Sequence, residues 1–504
     1  MVSSSVTRSS GLLYVLGRMK IRNDLYCEAQ EYLEQSLAVA ESVGHQWGKA
    51  RAWHGIGEAY RLRNEYSKAE KSYIQARDIY SEIGNQLGVA QSVDGLGEVY
   101  RMRNEYSKAE ESYIQAHDIF SQIGDQLGFA QSVGSLGDVY EMRGEYSNAE
   151  ESYIQACDIY SQFENQLGFA QSVKSLGDVY RIRDEYSKAE ESYIQARDIY
   201  SQIGDQLRFA QSVRGLGDVY RMRDEYSKAE QSYIQARNIY SRIGNQLGFA
   251  QSVNSLGHVY QMRHEYSKAE ESYIQARDIY SHIGDQLGLA QSVQNLGYVY
   301  QMRNEYSKAE ESYIQARDIS SQIGYELGFA QSFKSLGDVY QIRNEYSKAE
   351  ELYIQGRNIY SQIGRQLGFT QSVRSLGDMY YMRAEYSKAE ESYIQAREIY
   401  SQIGDQLGLA RLFVGMGRVH AAREEYMRAE ESYWEAEQIY HRIVNMRGSA
   451  NTLWYRGWLH RDQGQYGEAE RLVVEASTIY GTLGLEDDVK ECEEFLEDLR
   501  PLIA

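Results

Sequence analysis

Three histidines, His258, His264 and His282, are the nearest this chain comes to a metal-binding cluster. His258 and His264 lie six residues apart, so they do not share a helix face. No further ligand completes a zinc-type spacing. No phosphate-binding GxxxxGK[ST] loop and no HExxH pair occurs, and Gly95-Leu96-Gly97 is only a GxG inside an apolar-periodic segment. Carboxylates are abundant but recur at a fixed interval, as solvated faces do, whereas a catalytic pair would occur once. The chemistry left is recognition, not catalysis, and no cofactor is expected.

The residues that could recognise something are those at which otherwise near-identical segments differ. With Ala90 as position one, position five reads Asp94, Gly134, Lys174, Arg214, Asn254, Gln294, Lys334, Arg374. Position nine reads Glu98, Asp138, Asp178, Asp218, His258, Tyr298, Asp338, Asp378. Position twelve reads Arg101, Glu141, Arg181, Arg221, Gln261, Gln301, Gln341, Tyr381. Position fifteen, at a turn, reads Asn104, Gly144, Asp184, Asp224, His264, Asn304, Asn344, Ala384. Steps of four, three and three place these positions in one stripe along a helix. Lys174–Asp178 and Arg374–Asp378 are also i,i+4 pairs that support a helix by themselves. Lys108, Glu110 and Gln115, by contrast, hardly change between copies.

The element that positions the stripe is the repeat. Leu96-Gly97 returns at Leu136-Gly137, Leu176-Gly177 and on to Leu376-Gly377, with looser copies at Leu16-Gly17, Ile56-Gly57, Met416-Gly417 and Arg456-Gly457. That makes twelve copies in 40-residue register without an insertion, and a period in this range signals a solenoid. Each unit holds two helices. Val93, Leu96, Gly97 and Tyr100 share a face of the first; Ala109, Tyr113, Ala116 and Phe120 share a face of the second. Ser107 and Glu110 have capping-box spacing at the start of the second helix. Gly124 suits its C-terminal cap, and Asp125 can cap the next first helix.

Trp53, Ile56, Gly57, Tyr60, Ala69 and Tyr73 follow the pattern W-x2-L-G-x2-Y…A-x3-F, and on those residues the chain resembles the tetratricopeptide repeat. The unit is longer than the common 34-residue form, and Ser121 stands where a proline usually follows the second helix. The IGDQLGFAQS junction is similar to the 40-residue repeats of spindle-orientation scaffolds that link G-protein α subunits to partner peptides. It is also similar to the repeat tails of fungal nucleotide-binding signalling proteins. The resemblance implies an all-α, helical-hairpin solenoid wound as a right-handed superhelix, with first helices lining a concave groove. Asp94, Arg101, Lys174, Asp178, Arg181, Arg214, Asp218, Arg221, Asn254, His258, Gln294, Tyr298, Lys334 and Arg374 would then contact a peptide. Lys174, Arg181, Arg214 and Arg221 would form the most basic patch and favour an acidic segment, with Arg214 and Arg221 expected to be exposed. A scaffold that binds a partner peptide is the function this implies. The alternative is the sensor arm of a nucleotide-binding switch protein without its ATPase portion, motivated by the abrupt entry into the first repeat.

Composition bounds the partners. The chain has 504 residues, formal net charge −20, one proline and three scattered cysteines, Cys27, Cys157 and Cys492. The charge argues against nucleic acid or an anionic membrane, and no apolar run approaches membrane-spanning length. The cysteines follow no disulfide or metal spacing, which fits a reducing, cytoplasmic setting. A monomer is expected. Residues 1–9 are polar and expected to be disordered. The first 22 residues carry Arg8, Arg18, Lys20 and Arg22 with no acid before Asp24, as presequences do; Leu13, Leu16 and Gly17 nevertheless fall in register as the first repeat helix. The array should run over 10–480. A capping helix over 485–500 should follow, its stripe Val489, Cys492, Phe495, Leu496 and Leu499, with Pro501 after it.

Overall fold

The computed structural model describes residues 2–503 apart from Asp24, with side chains described from Ser9 onward. Among the described residues there are 25 α-helices and no strand. Twenty-four of them pair as twelve hairpins, each joined by a short turn, as in Gln86–Met102, Tyr106–Ile123 and then Gln126–Met142. The chain divides into two compact units, Met1–Ser255 and Leu256–Ala504, and each is an all-helical hairpin solenoid.

Small residues set the helix spacing. A methyl group placed on Gly97 would lie 2.7 Å from the Tyr113 ring of the same hairpin, and one on Gly88 would lie 2.5 Å from the Tyr80 ring of the preceding one. Glycine at these two places lets a tyrosine lie flat against a helix backbone, and Tyr113 is fully buried there. Ala109, Tyr113, Leu136 and Val139 form one layer shared by neighbouring hairpins; Ala76, Tyr80, Ala90, Val93, Ala116 and Phe120 form another. Both layers straddle a junction between hairpins, so much of the burial is a nearest-neighbour property.

The helix boundaries confirm two caps and correct one. Gly124 sits at φ 75° and ends its helix in the left-handed region, and the Asp125 carboxylate accepts from the Gly128 N–H. The expected capping box is absent: the second helix starts at Tyr106, and Glu105 is its cap residue. Ser107 is therefore inside the first turn, two residues past the cap position. Glu110 instead receives Arg143 of the next hairpin at 2.5 Å. The same clamp recurs: Glu70 accepts from Tyr100 and Arg103 at 2.9 and 2.7 Å, and Glu190 from Tyr220 and Arg223.

The ends differ from expectation too. The backbone is helical over Val2–Arg22, so the polar start expected to be disordered is helix from its second residue on. Gly17 packs against Leu33. The last helix, Glu486–Ile503, buries Cys492, Phe495 and Leu499, and Phe495 lies 5.3 and 4.9 Å from the Trp454 and Trp458 rings. Pro501 lies inside its last turn rather than beyond it.

Candidate functional site

Grooves open along the first helices. In the first unit, one of about 1000 Å³ is lined by Arg51, His54, Asp94 and Glu98 among others. In the second unit, one of about 700 Å³ includes Tyr298, Gln301, Lys334 and Asp338, and one of about 620 Å³ includes Arg374, Arg411, Arg418 and Arg447. Of the fourteen residues expected to contact a peptide, Asp94, Tyr298, Lys334 and Arg374 line these grooves. Arg101 and Gln294 lie on the helices of Asp94 and Tyr298 outside these grooves, and the other eight lie on the first helices Gln166–Ile182, Gln206–Met222 and Gln246–Met262.

The fold uses much of the stripe itself. Position nine holds the acceptor for the buried tyrosine: Tyr113 donates to Glu98 at 2.8 Å, Tyr193 to Asp178 at 2.6 Å, Tyr233 to Asp218 at 2.7 Å and Tyr353 to Asp338 at 2.8 Å. A buried hydroxyl without a partner is costly, so this position is polar for a reason internal to the hairpin. Where position nine is Tyr298, position twelve takes over, and Tyr313 donates to Gln301 at 2.9 Å. His258 substitutes for the acid with its Nδ1 3.0 Å from the Tyr273 hydroxyl, and its Nε2 is 3.4 Å from the Asn295 amide. His264 is at a turn, 2.8 Å from the Tyr266 hydroxyl. No group of three metal-ligating side chains converges among the described residues.

Position five joins neighbouring hairpins or pairs along its own helix. Asp94 is buried and accepts from Gln131 at 2.9 Å and Ser132 at 3.2 Å; burial, with the Glu98 charge nearby, pushes its carboxyl up to about 7. Gln294 donates to Ser335 and accepts from Ser332, both at 3.0 Å. Lys174, Lys334 and Arg374 pair with Asp178, Asp338 and Asp378. At position twelve, Arg101 pairs with Glu98 at 2.9 Å, and Arg181 donates to the Tyr193 hydroxyl at 3.3 Å.

The basic patch is thus neither fully exposed nor free. Arg214 and Arg221 are half-buried rather than exposed. Arg214 lies beside Asp218 and the Tyr240 hydroxyl, with its Nε buried and unpartnered. Burial also pushes Glu141 up to about 7, helped by the charge of Asp178. Position fifteen leaves the stripe altogether. Asn104, Asp184, Asp224, His264, Asn304, Asn344 and Ala384 all have φ near 60°, and Gly144 has φ 76°. Its Asn, Asp and Gly content answers a left-handed backbone rather than a ligand.

Sequence reasoning missed Arg411, Arg418 and Arg447. The signal is that each breaks the repeat pattern. Among the described residues, no helix is long and apolar enough to cross a membrane.

Tetratricopeptide repeat models match residues 9–82, 84–162, 169–242 and 249–322, more than half of the chain. The chain belongs to the tetratricopeptide repeat family. A model of the soluble NSF attachment protein also matches residues 288–461. Among solved structures, the apo form of the quorum sensor NprR from B. thuringiensis is 12% identical, covers 72% of this chain and 99% of its own, and superposes with TM-score 0.51. A Rap protein complexed with competence and sporulation factor is 16% identical over 69% of this chain and 99% of its own, with TM-score 0.43. BtubC from P. vanneervenii is 20% identical over 44% and 91%, with TM-score 0.38. No curated protein matches the chain.

Proposed function

We propose that the protein is an interaction scaffold that seats a peptide segment of a partner along its first helices. The observation that carries this reading is that the grooves are lined by equivalent positions of successive repeats, yet by different side chains. Tyr298 is exposed over 40% of its surface and shares a groove with Lys334. Second-helix residues such as Lys108, Lys188 and Lys228 stay constant instead. Sequence variety along an open groove is what a surface that selects one peptide needs.

The finer assignment is an acidic stretch over Lys174, Arg181, Arg214 and Arg221, with polar or aromatic residues over Asn254, His258, Gln294 and Tyr298. Arg101, Asp178 and Asp218 would frame the first part. An incoming carboxylate competes there with Asp178 and Asp218, so this part of the contact is weak and screened beyond about 8 Å at physiological salt. The working form is a monomer in the cytoplasm. With net charge −20, neither nucleic acid nor membrane is its partner.

Peptides selected from a displayed random library on the wild-type protein test the reading. Binding should weaken about tenfold or more in Tyr298→Ala and Lys334→Gln, a loss of about 1.4 kcal/mol. It should be unchanged in Lys308→Gln, an exposed second-helix control. Equal affinity for all three variants refutes the groove.

A further inference from the structure

Toward the end of the array, three departures from the repeat share one direction. Arg411 stands where the repeats from Gln91 to Gln371 carry glutamine, and Arg447 where those from Leu87 to Leu407 carry leucine. Arg418 stands at position nine, which is acidic in six of the eight repeats compared above. All three line the groove of about 620 Å³ in the second unit. Drift at a chain end has no reason to place three positive charges around one cavity of an acidic protein.

These charges are not spent inside the fold. Arg374, in the same groove, is committed to Asp378 at 2.5 Å. Among the described residues, Arg411, Arg418 and Arg447 have no carboxylate at ion-pair distance. Arg418 is held between aromatic rings, its guanidinium carbon 4.3 Å from the Tyr381 centroid and 5.4 Å from that of Tyr455. Tyr455, where the repeats from Gly55 to Gly415 have Gly, Ser or Asn, lies parallel to Tyr433 at 6.2 Å. Stacking covers the faces of the guanidinium and leaves its edge N–H groups to bond. Asn451, whose side-chain oxygen accepts from Tyr480 at 2.7 Å, has its amide nitrogen left to donate.

We infer that this groove binds a phosphoryl group, carried on a side chain of the partner segment. A guanidinium cannot shed its proton to relieve the crowding. One carboxylate would neutralise only one of the three charges. A phosphate monoester brings about −1.5 to −2 and three acceptor oxygens, which arginine forks match bidentately. Phosphate as the group recognised stands on the groove alone; its peptide carrier rests on the scaffold function proposed above.

The test compares degenerate peptides with a fixed central phosphoserine against the same set with serine and with glutamate, and adds pyrophosphate as a peptide-free probe. The phosphoserine set should bind at least about tenfold tighter than the glutamate set, and pyrophosphate should compete. Arg411→Gln with Arg447→Gln should remove that preference with helicity unchanged, because both side chains are exposed. Arg418→Lys, which keeps the charge but loses the fork, should weaken it too. Equal binding of the phosphoserine and glutamate sets, or a preference that survives the double variant, overturns the inference. Arginine-dependent pyrophosphate binding with no peptide set bound supports the phosphate site and defeats the peptide carrier.

Discussion

Asp178 distinguishes a ligand contact from a fold contact. Its carboxylate accepts from the Tyr193 hydroxyl at 2.6 Å and pairs with Lys174 at 2.5 Å, with 21% of its side chain exposed. Asp178→Ala leaves the buried Tyr193 O–H without its acceptor, which costs about 1–3 kcal/mol. Tyr193→Phe loses the charge-assisted bond to Asp178, about 1.5–3 kcal/mol, and the longer one from Arg181, but Asp178 keeps its pair with Lys174. The double variant should therefore be less destabilised than the sum of the singles, with a coupling of about 1–2 kcal/mol. Asp178→Asn keeps an acceptor and should cost less than Asp178→Ala. Repeat arrays open in parts, so the readout is amide hydrogen exchange over 166–203 in a urea series rather than one melting curve. A cost below about 0.5 kcal/mol for Asp178→Ala, with no coupling to Tyr193→Phe, would mean that the carboxylate is free for a ligand and that the reasoning fails.

Asp94 gives a pH signature. Its carboxyl titrates near 7 in the folded chain and near 3.8 otherwise, so the folded state holds the extra proton between those values. Its contribution favours folding below pH 4 and is lost as pH rises toward 7; Asp94→Asn should flatten that limb of a stability–pH profile. Gly217→Leu forces a side chain into the Tyr233 ring, which a methyl group alone would meet at 2.7 Å. The expected loss is about 1–3 kcal/mol, read as faster exchange in the helices Gln206–Met222 and Tyr226–Arg242. Glu190→Gln weakens the acceptor of Tyr220 and Arg223 and should speed exchange at that junction but not at the distant Glu70 junction.

What the sequence disclosed and what it hid separate by distance along the chain. The 40-residue period, the two-helix unit and the Gly124 and Asp125 caps involve local patterns or repeated spacing, and they were legible. Glu110 was misread because its partner, Arg143, is 33 residues away in the next hairpin, while a local motif offered a nearer answer. Position fifteen was misread because its Asn, Asp and Gly content serves a left-handed turn, which resembles free variation when only side chains are compared. Positions five, nine and twelve of the stripe do lie together on the first helices. The division of labour within it was not legible, because whether Asp178 faces a ligand or Tyr193 depends on how two helices are offset. Arg411, Arg418 and Arg447 sit in repeats whose drift had a bland explanation, and only their convergence on one cavity separates them from it.

The junction clamp has a consequence for heredity. Glutamate meets tyrosine and arginine 30 and 33 residues later, as in Glu70 with Tyr100 and Arg103, Glu190 with Tyr220 and Arg223, and Glu350 with Tyr380 and Arg383. Each end of one junction therefore fits the complementary end of another. Unequal crossing-over between the near-identical coding segments yields chains longer or shorter by whole multiples of forty residues, and every new seam comes ready-made. Alleles of different length can then arise in a single step, each presenting the same groove positions in a new order.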